Sequence, residues 1–222
     1  TLPLSGFYLM KYHANVAIVH YDAGQNQESL KYARRSLELL EQYGFGGSSG
    51  FSLKILQADL LHRLGMQSES IQMIEDMFST LLDRPIRREE LSSLVYADFD
   101  QLNNGRYLTI LIKAGQIFRR IGNQSNSESD LRASFALFRV AAEMFQEYYL
   151  KGSYTQELDE LNRQIEDGIL LLWAESGLFS EEEKYQTLAL LELNESQQGW
   201  KKFLSKNEEF LGSTTSILQE LN

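Results

Sequence analysis

Cysteine is absent from this chain of 222 residues. That excludes disulfides, thiolate metal sites and a cysteine nucleophile together. Proline is scarce: Pro3 and Pro85 are the only two. Both fall where a helix need not be interrupted, which favours an almost wholly helical chain over a sandwich of many turns. Basic residues are in deficit, 21 Lys and Arg against 31 Asp and Glu, for a net charge of -10. Such a chain, with no run of Lys or Arg interleaved with aromatics, repels a phosphate backbone, so nucleic acid is not an expected partner. Long apolar runs are missing as well. The richest, Ile169 to Ala174, is flanked by Asp167 and Glu175 and falls far short of the roughly 18 residues a membrane span requires. No membrane span is expected, and an acidic chain of this kind is compatible with the cytoplasm. The first residue is Thr1 rather than Met, and Thr1 to Gly6 has neither the charged nor the long apolar region of a signal peptide. The sequence therefore reads as a piece of something longer.

What is present is a recurring pattern, an alanine or glycine seven residues before a glycine expected to end a helix. Ala17 precedes Gly24, Ala58 precedes Gly65 and Gly115 precedes Gly122. After the first two glycines a small residue and an aliphatic follow at matched offsets, Ser29-Leu30 and Ser70-Ile71. The pattern reads as a helix-turn-helix unit. Such a unit cannot bury its apolar face alone, so successive hairpins are expected to stack into a superhelix with a groove for a partner. At 43% hydrophobic residues a continuous core is available, and residues 1–222 are read as a single all-α helical repeat domain.

The first hairpin is expected from about Phe7 to Tyr43, with Val16, Val19 and Ala23 on one face of its first helix and Leu30, Ala33, Leu37 and Leu40 on its second. Gly44 to Gly50, reading GFGGSSG, is then a flexible connector. The second hairpin carries Ile55, Ala58, Leu61 and Leu64, then Ile71, Ile74, Phe78 and Leu81, and stops at Asp83-Arg84-Pro85. Gly24 and Gly65 stand 41 residues apart, and Gly65 and Gly122 stand 57 apart. Arg88 to Leu102 accounts for the difference as an additional helix. Tyr107 to Ile121, a turn over Asn123 to Ser129, and Asp130 to Tyr149 make the third hairpin, with Ala133, Leu137, Val140 and Met144 inward. A fourth pair covers Thr155 to Ser176 and Ser180 to about Leu193, opened by a Ser180/Glu183 capping box. Asn194 to Leu221, with Trp200, Phe203 and Leu204 and a break near Gly212, reads as further helix.

The residues that could carry chemistry do not assemble into a catalytic set. His13 and His20 share a helix face but lack a third ligand, so no metal is expected. GFGGSSG lacks the Lys-Ser/Thr ending that grips phosphate, so no nucleotide or other cofactor is expected. Glu89-Glu90, Glu181 to Glu183 and Glu208-Glu209 sit at helix starts or on polar faces, and no serine stands in a nucleophile elbow. Tyr8, Tyr12, Tyr21, Phe118, Phe135, Phe138, Phe145, Tyr148 and Tyr149 recur at helical spacing, which assigns most of them to the core. In a stacked array the first helix of each hairpin tends to face the concave side. Tyr21, Asp22, Asp59, His62, Arg63, Gln116, Arg119 and Arg120 are therefore the candidate partner-binding residues.

The segments ANVAIVHYDAG, ADLLHRLG and GQIFRRIG, each with a ring or aliphatic side chain three residues after the small one (His20, Leu61, Phe118), resemble the tetratricopeptide repeat. The likeness covers most of Phe7 to Leu193. In the second half, KAGQIFRRIG, SFALFRVAAEMFQEYY and LALLELNESQQGWKKFL look like the repeat region that precedes the caspase-like CHAT protease domain in large bacterial proteins. That family has a histidine and cysteine dyad downstream, and no residue of this cysteine-free chain can take its part. The resemblance implies a non-enzymatic scaffold for a protein or peptide, the regulatory arm of a larger effector. A structural spacer that self-associates is the competing expectation.

Overall fold

Pro3 takes the first position of helix α1 (Pro3–Asp22), where its missing N–H costs no hydrogen bond. The computed structural model describes residues 3–44, 48–102, 105–150 and 156–192. Among them every regular element is helical and none is a strand. After α1 come α2 (Asn26–Gln42), α3 (Ser48–Arg63), α4 (Gln67–Leu81), α5 (Gly105–Ser125), α6 (Glu128–Leu150), α7 (Gln156–Ser176) and α8 (Glu181–Glu192). The chain divides into two compact units, Thr1–Leu91 and Ser92–Asn222.

In the first unit α1 packs on α2, α2 on α3 and α3 on α4. The two hairpins end their first helices identically. Gly24 (φ 72°) and Gly65 (φ 79°) adopt the left-handed conformation, and the amides just beyond them donate back to His20 and Leu61 at 2.8 and 2.9 Å. This closes off the orphan carbonyls of a helix end. A hydroxyl then joins the arms of each hairpin. Ser29 Oγ donates to the Ala17 carbonyl and Ser70 Oγ to the Ala58 carbonyl, both at 2.7 Å and both buried. A buried bond of this kind contributes about 1 kcal/mol. Ala17, Leu30 and Ala33 of the first hairpin share a core with Leu60 and Leu61 of the second. A neighbouring cluster joins Met10, Leu39 and Leu40 to Leu53.

Several sequence expectations are corrected here. The α1 face turned inward carries Met10 and Ala17, whereas Val19 and Ala23 face solvent, as do Tyr8 and Tyr12. The expected connector is shorter than GFGGSSG, because α3 already begins at Ser48. Arg88 to Leu102 is not an α-helix but two 3₁₀ turns, Arg88–Ser93 and Tyr96–Leu102. Leu91 and Leu94 are buried, three residues apart, which suits the three-residue period of a 3₁₀ turn. The break between the turns is capped by Asp98, whose carboxylate accepts from the Val95 amide at 3.0 Å.

In the second unit α6 is central: α5, α7 and α8 all pack on it, and α7 also packs on α5. Ala133, Leu137, Val140 and Met144 of α6 are fully buried, as expected, and Trp173 of α7 is 3% exposed. Ser134 Oγ donates to the Gly115 carbonyl at 2.7 Å, matching Ser29 and Ser70, but this pair is 19 residues apart rather than 12. The reason is that Gly122 does not end the helix. Helix α5 continues to Ser125, the left-handed residue is Asn126 (φ 50°), and the Ser127 amide donates to Gly122 at 2.9 Å. Each arm of this hairpin has gained about one turn. Gly122 lies instead where a Cβ would come 2.7 Å from the Leu131 side chain.

The capping box at α8 forms as read. Glu183 accepts from the Ser180 amide at 2.8 Å, and the Glu183 amide donates to Ser180 Oγ at 3.2 Å. The bond from the Ser180 amide leads the causes that hold the Glu183 carboxyl below its usual value of 4.5, with Arg132 adding to it. A depressed carboxyl stabilises above its unfolded value and loses that contribution as pH falls through the folded one. Amide protection factors at the start of α8 are therefore expected to fall below about pH 4.5, the ordinary glutamate value. Glu183→Gln should flatten that dependence in exchange measurements. The region from Asn194 to Leu221, and the side chains of Tyr148 and Tyr149, lie outside the described residues.

Candidate functional site

The eight candidate residues fall into two groups, one in each unit. In the first unit, the buried Asp59 carboxylate on α3 accepts from Tyr21 on α1 and from Arg63 Nε at 3.0 Å. The Arg63 guanidinium also donates to the Tyr21 hydroxyl and lies 4.1 Å from the centre of its ring. A buried carboxylate is tolerated when bonded and paired in this way. The cluster ties the first helix of one hairpin to the first helix of the next, so Tyr21, Asp59 and Arg63 hold the two helices in register. His62 is buried beside them and Asp22 is exposed at the end of α1.

The two histidines considered as metal ligands have another environment. The Tyr32 ring stacks between them, 5.7 Å from His13 and 5.4 Å from His20, centre to centre. Burial, then the Arg35 charge, lowers the His13 pKa.

In the second unit Gln116, Arg119 and Arg120 do come together. Spaced at i, i+3 and i+4, they share a face of α5 and line a cleft of about 160 Å³ with Gln164, Asp167, Gly168 and Leu171 of α7. Arg119 is fixed in place, its Nη1 donating to both carboxylate oxygens of Glu175 at 2.7 and 2.6 Å. Asn123 Nδ2 donates to the same carboxylate at 2.6 Å. Burial, then the neighbouring Glu160 charge, raises the Asp167 carboxyl above its usual value, against an opposing pull from Arg163. Leu171 also lines a wider depression of about 770 Å³ with Asn123, Ala174 and Glu175. The cleft thus presents two guanidinium groups and two side-chain amides around one carboxyl group, a donor-rich surface suited to backbone carbonyls and carboxylates.

Sequence reasoning found the α5 half of this cleft and missed the α7 half, Gln164 and Asp167, together with Glu175. Their spacing on α7 is that of an ordinary polar face. What sets them apart is the packing of α7 on α5, which no local pattern encodes.

No family model matches the chain, and no curated protein matches it. A solved structure described as "DHF58 filament" is similar over 95% of this chain and 98% of its own length, at 17% identity and a TM-score of 0.47. A likeness at that level carries no argument about fold or function.

Proposed function

We propose that this chain is a non-catalytic, tetratricopeptide-like scaffold that binds a protein or peptide and serves as the regulatory arm of a larger effector. The observation that carries the reading is the cleft between α5 and α7, where Gln116, Arg119 and Arg120 meet Gln164 and Asp167. An extended segment laid along it would find donors from both helices. A preformed cleft, with Arg119 already held by Glu175, binds with little rearrangement. The superhelical stacking of hairpins is part of this proposal and draws on the shared serine-to-carbonyl bond of three of them. The regulatory role draws on the resemblance to the repeat region before caspase-like protease domains.

The test is a selection from a random peptide display library on the purified chain, followed by titration of the enriched peptides. Arg120→Ala combined with Gln164→Ala should weaken them by ~2 kcal/mol or more, the scale of a hot spot, or about thirtyfold. The peptides should come back uncleaved. No enrichment, or affinity indifferent to both substitutions, would refute the reading. A self-associating spacer is the second reading, favoured by the apolar outer face of α1.

A further inference from the structure

Leu171 lines both the narrow cleft between α5 and α7 and the wider depression of about 770 Å³, so a segment lying along the first runs on into the second. The depression sits where α5 and α7 end and α6 begins. Part of its wall is apolar, made by Leu131, Leu171, Ala174 and Leu178. The rest is polar, and its charge is of one sign. Glu128 and Glu175 are carboxylates, Asn123, Asn126 and Ser176 are neutral, and among the described residues no Lys, Arg or His takes part.

The end of α7 adds acceptors of its own. At the ends of α1, α3 and α5 an amide beyond the helix donates back into the last turn, Gln25 to His20, Met66 to Leu61 and Ser127 to Gly122, at 2.8 to 2.9 Å. Helix α7 is followed by a left-handed glycine as α1 and α3 are, Gly177 at φ 57°. Yet among the described residues no backbone amide closes its last turn, and the Leu178 amide turns to Ser176 Oγ at 3.5 Å instead. The carbonyls from Trp173 to Ser176 therefore point out of the helix end with their acceptor capacity unspent, and Ala174, Glu175 and Ser176 all line the depression. A helix C-terminus also carries the negative end of the macrodipole.

The cations that pair with the two acids stand outside the depression. Arg119 reaches Glu175 from the narrow cleft, and Arg132 reaches Glu128 at 2.9 Å while also approaching Glu183 at 3.4 Å. The positive start of α6 is answered within its own helix, by Glu128 and Asp130 in the first turn and by Ser127 Oγ, which accepts from the Asp130 amide at 3.4 Å. Among the described residues no three His, Asp or Glu side chains gather to hold a metal ion, and the apolar wall would be wasted on one. What suits acceptors beside an apolar wall is a cation on an aliphatic stem. We infer that the depression takes one lysine or arginine side chain of the bound segment, its stem on Leu131, Leu171, Ala174 and Leu178 and its charged end among Glu128, Glu175 and the last carbonyls of α7. This rests on the peptide-binding reading and names the residue that the peptide must carry.

The experiment is fluorescence polarisation with the full chain and four pools of end-blocked peptides, random except for a central residue fixed as lysine, arginine, norleucine or glutamate. Norleucine keeps an unbranched apolar stem without the charge. The lysine and arginine pools should bind about tenfold or more tightly than the norleucine pool, the scale of one hydrogen bond to a charged group, and the glutamate pool should be weakest. Glu128→Gln should shrink that preference, and Ala174→Lys, which sets an ammonium in the depression from α7, should abolish it. Both positions are at least partly exposed, and retained far-UV ellipticity checks the fold of each variant. Glu38→Gln in the first unit makes the same change of net charge as Glu128→Gln and should leave the preference intact. Pools that bind without favouring the cations would overturn the inference and leave the peptide-binding reading standing, whereas binding by no pool would overturn both. A preference untouched by Glu128→Gln and Ala174→Lys, or reduced as much by Glu38→Gln, would trace it to the general acidity of the chain and also overturn the inference.

Discussion

Replacing Gly168 by alanine is expected to destabilise the second unit by about 3 kcal/mol, the upper part of the range for overpacking a core. In an ordinary helix the same change stabilises by up to about 1 kcal/mol, so the sign is the test. A Cβ at Gly168 would fall on the Phe138 ring, well inside contact distance. The ring cannot step aside. It is fully buried, and a Cβ at Gly115 would also lie only 3.1 Å from it. Phe138 is therefore pinched between α5 and α7 at two glycines, which is how α6 sits so deep between them. Shortening the ring should relieve the clash. Phe138→Leu alone is expected to cost about 1 kcal/mol, and the double variant Gly168→Ala/Phe138→Leu less than the sum by roughly 1 kcal/mol or more, as for residues in contact. Urea unfolding followed by ellipticity reads all three. A neutral Gly168→Ala, or strict additivity, would show that the helices do not approach this closely.

The second large effect separates two readings of one hairpin. If Gly122 ended α5 as Gly24 and Gly65 end their helices, a side chain there would be strained by conformation alone. Gly122 is instead helical, and an added Cβ would meet Leu131 at its side chain, 2.7 Å away, and at its backbone nitrogen, 3.1 Å away. The nitrogen cannot yield without moving α6, so Gly122→Ala is expected to cost about 2 kcal/mol. Asn126 holds the left-handed conformation at φ 50°. Asn126→Gly should therefore be neutral or stabilising by up to about 1 kcal/mol, the usual cost of that conformation for a residue with a side chain. The opposite pair of results in thermal unfolding would return the turn to Gly122.

That hairpin also shows how far sequence reading reaches. Ala17, Ser29 and Gly24, and their counterparts Ala58, Ser70 and Gly65, were legible because small residue, turn and hydroxyl all lie within a dozen positions. The hydroxyl of the third hairpin, Ser134, escaped notice because an extra turn in each arm carried it to 19 residues from Gly115. Gly122 kept the expected spacing from Gly115 while serving close packing instead. The stretch 88–102 defeated periodicity in another way. Its buried residues Leu91, Leu94 and Phe99 follow no 3.6-residue rhythm, because side-chain caps set its turns. On α1 the apolar pattern was real but its inward face was misassigned: the helix is apolar nearly all round, and only packing decides which side is covered. Of the cleft, α5 was found because it belongs to the hairpin pattern, and α7 was not because its role comes from a neighbour distant in sequence.

Trp173 is sunk in α7, and the other tryptophan of the chain, Trp200, also follows residue 92, so the stretch from Thr1 to Leu91 has no indole at all. Fluorescence excited at the red edge therefore watches one half of the polypeptide and is blind to the other, whereas ellipticity sums both. The molecule carries a built-in optical label by which the melting of its two halves can be told apart without attaching a dye.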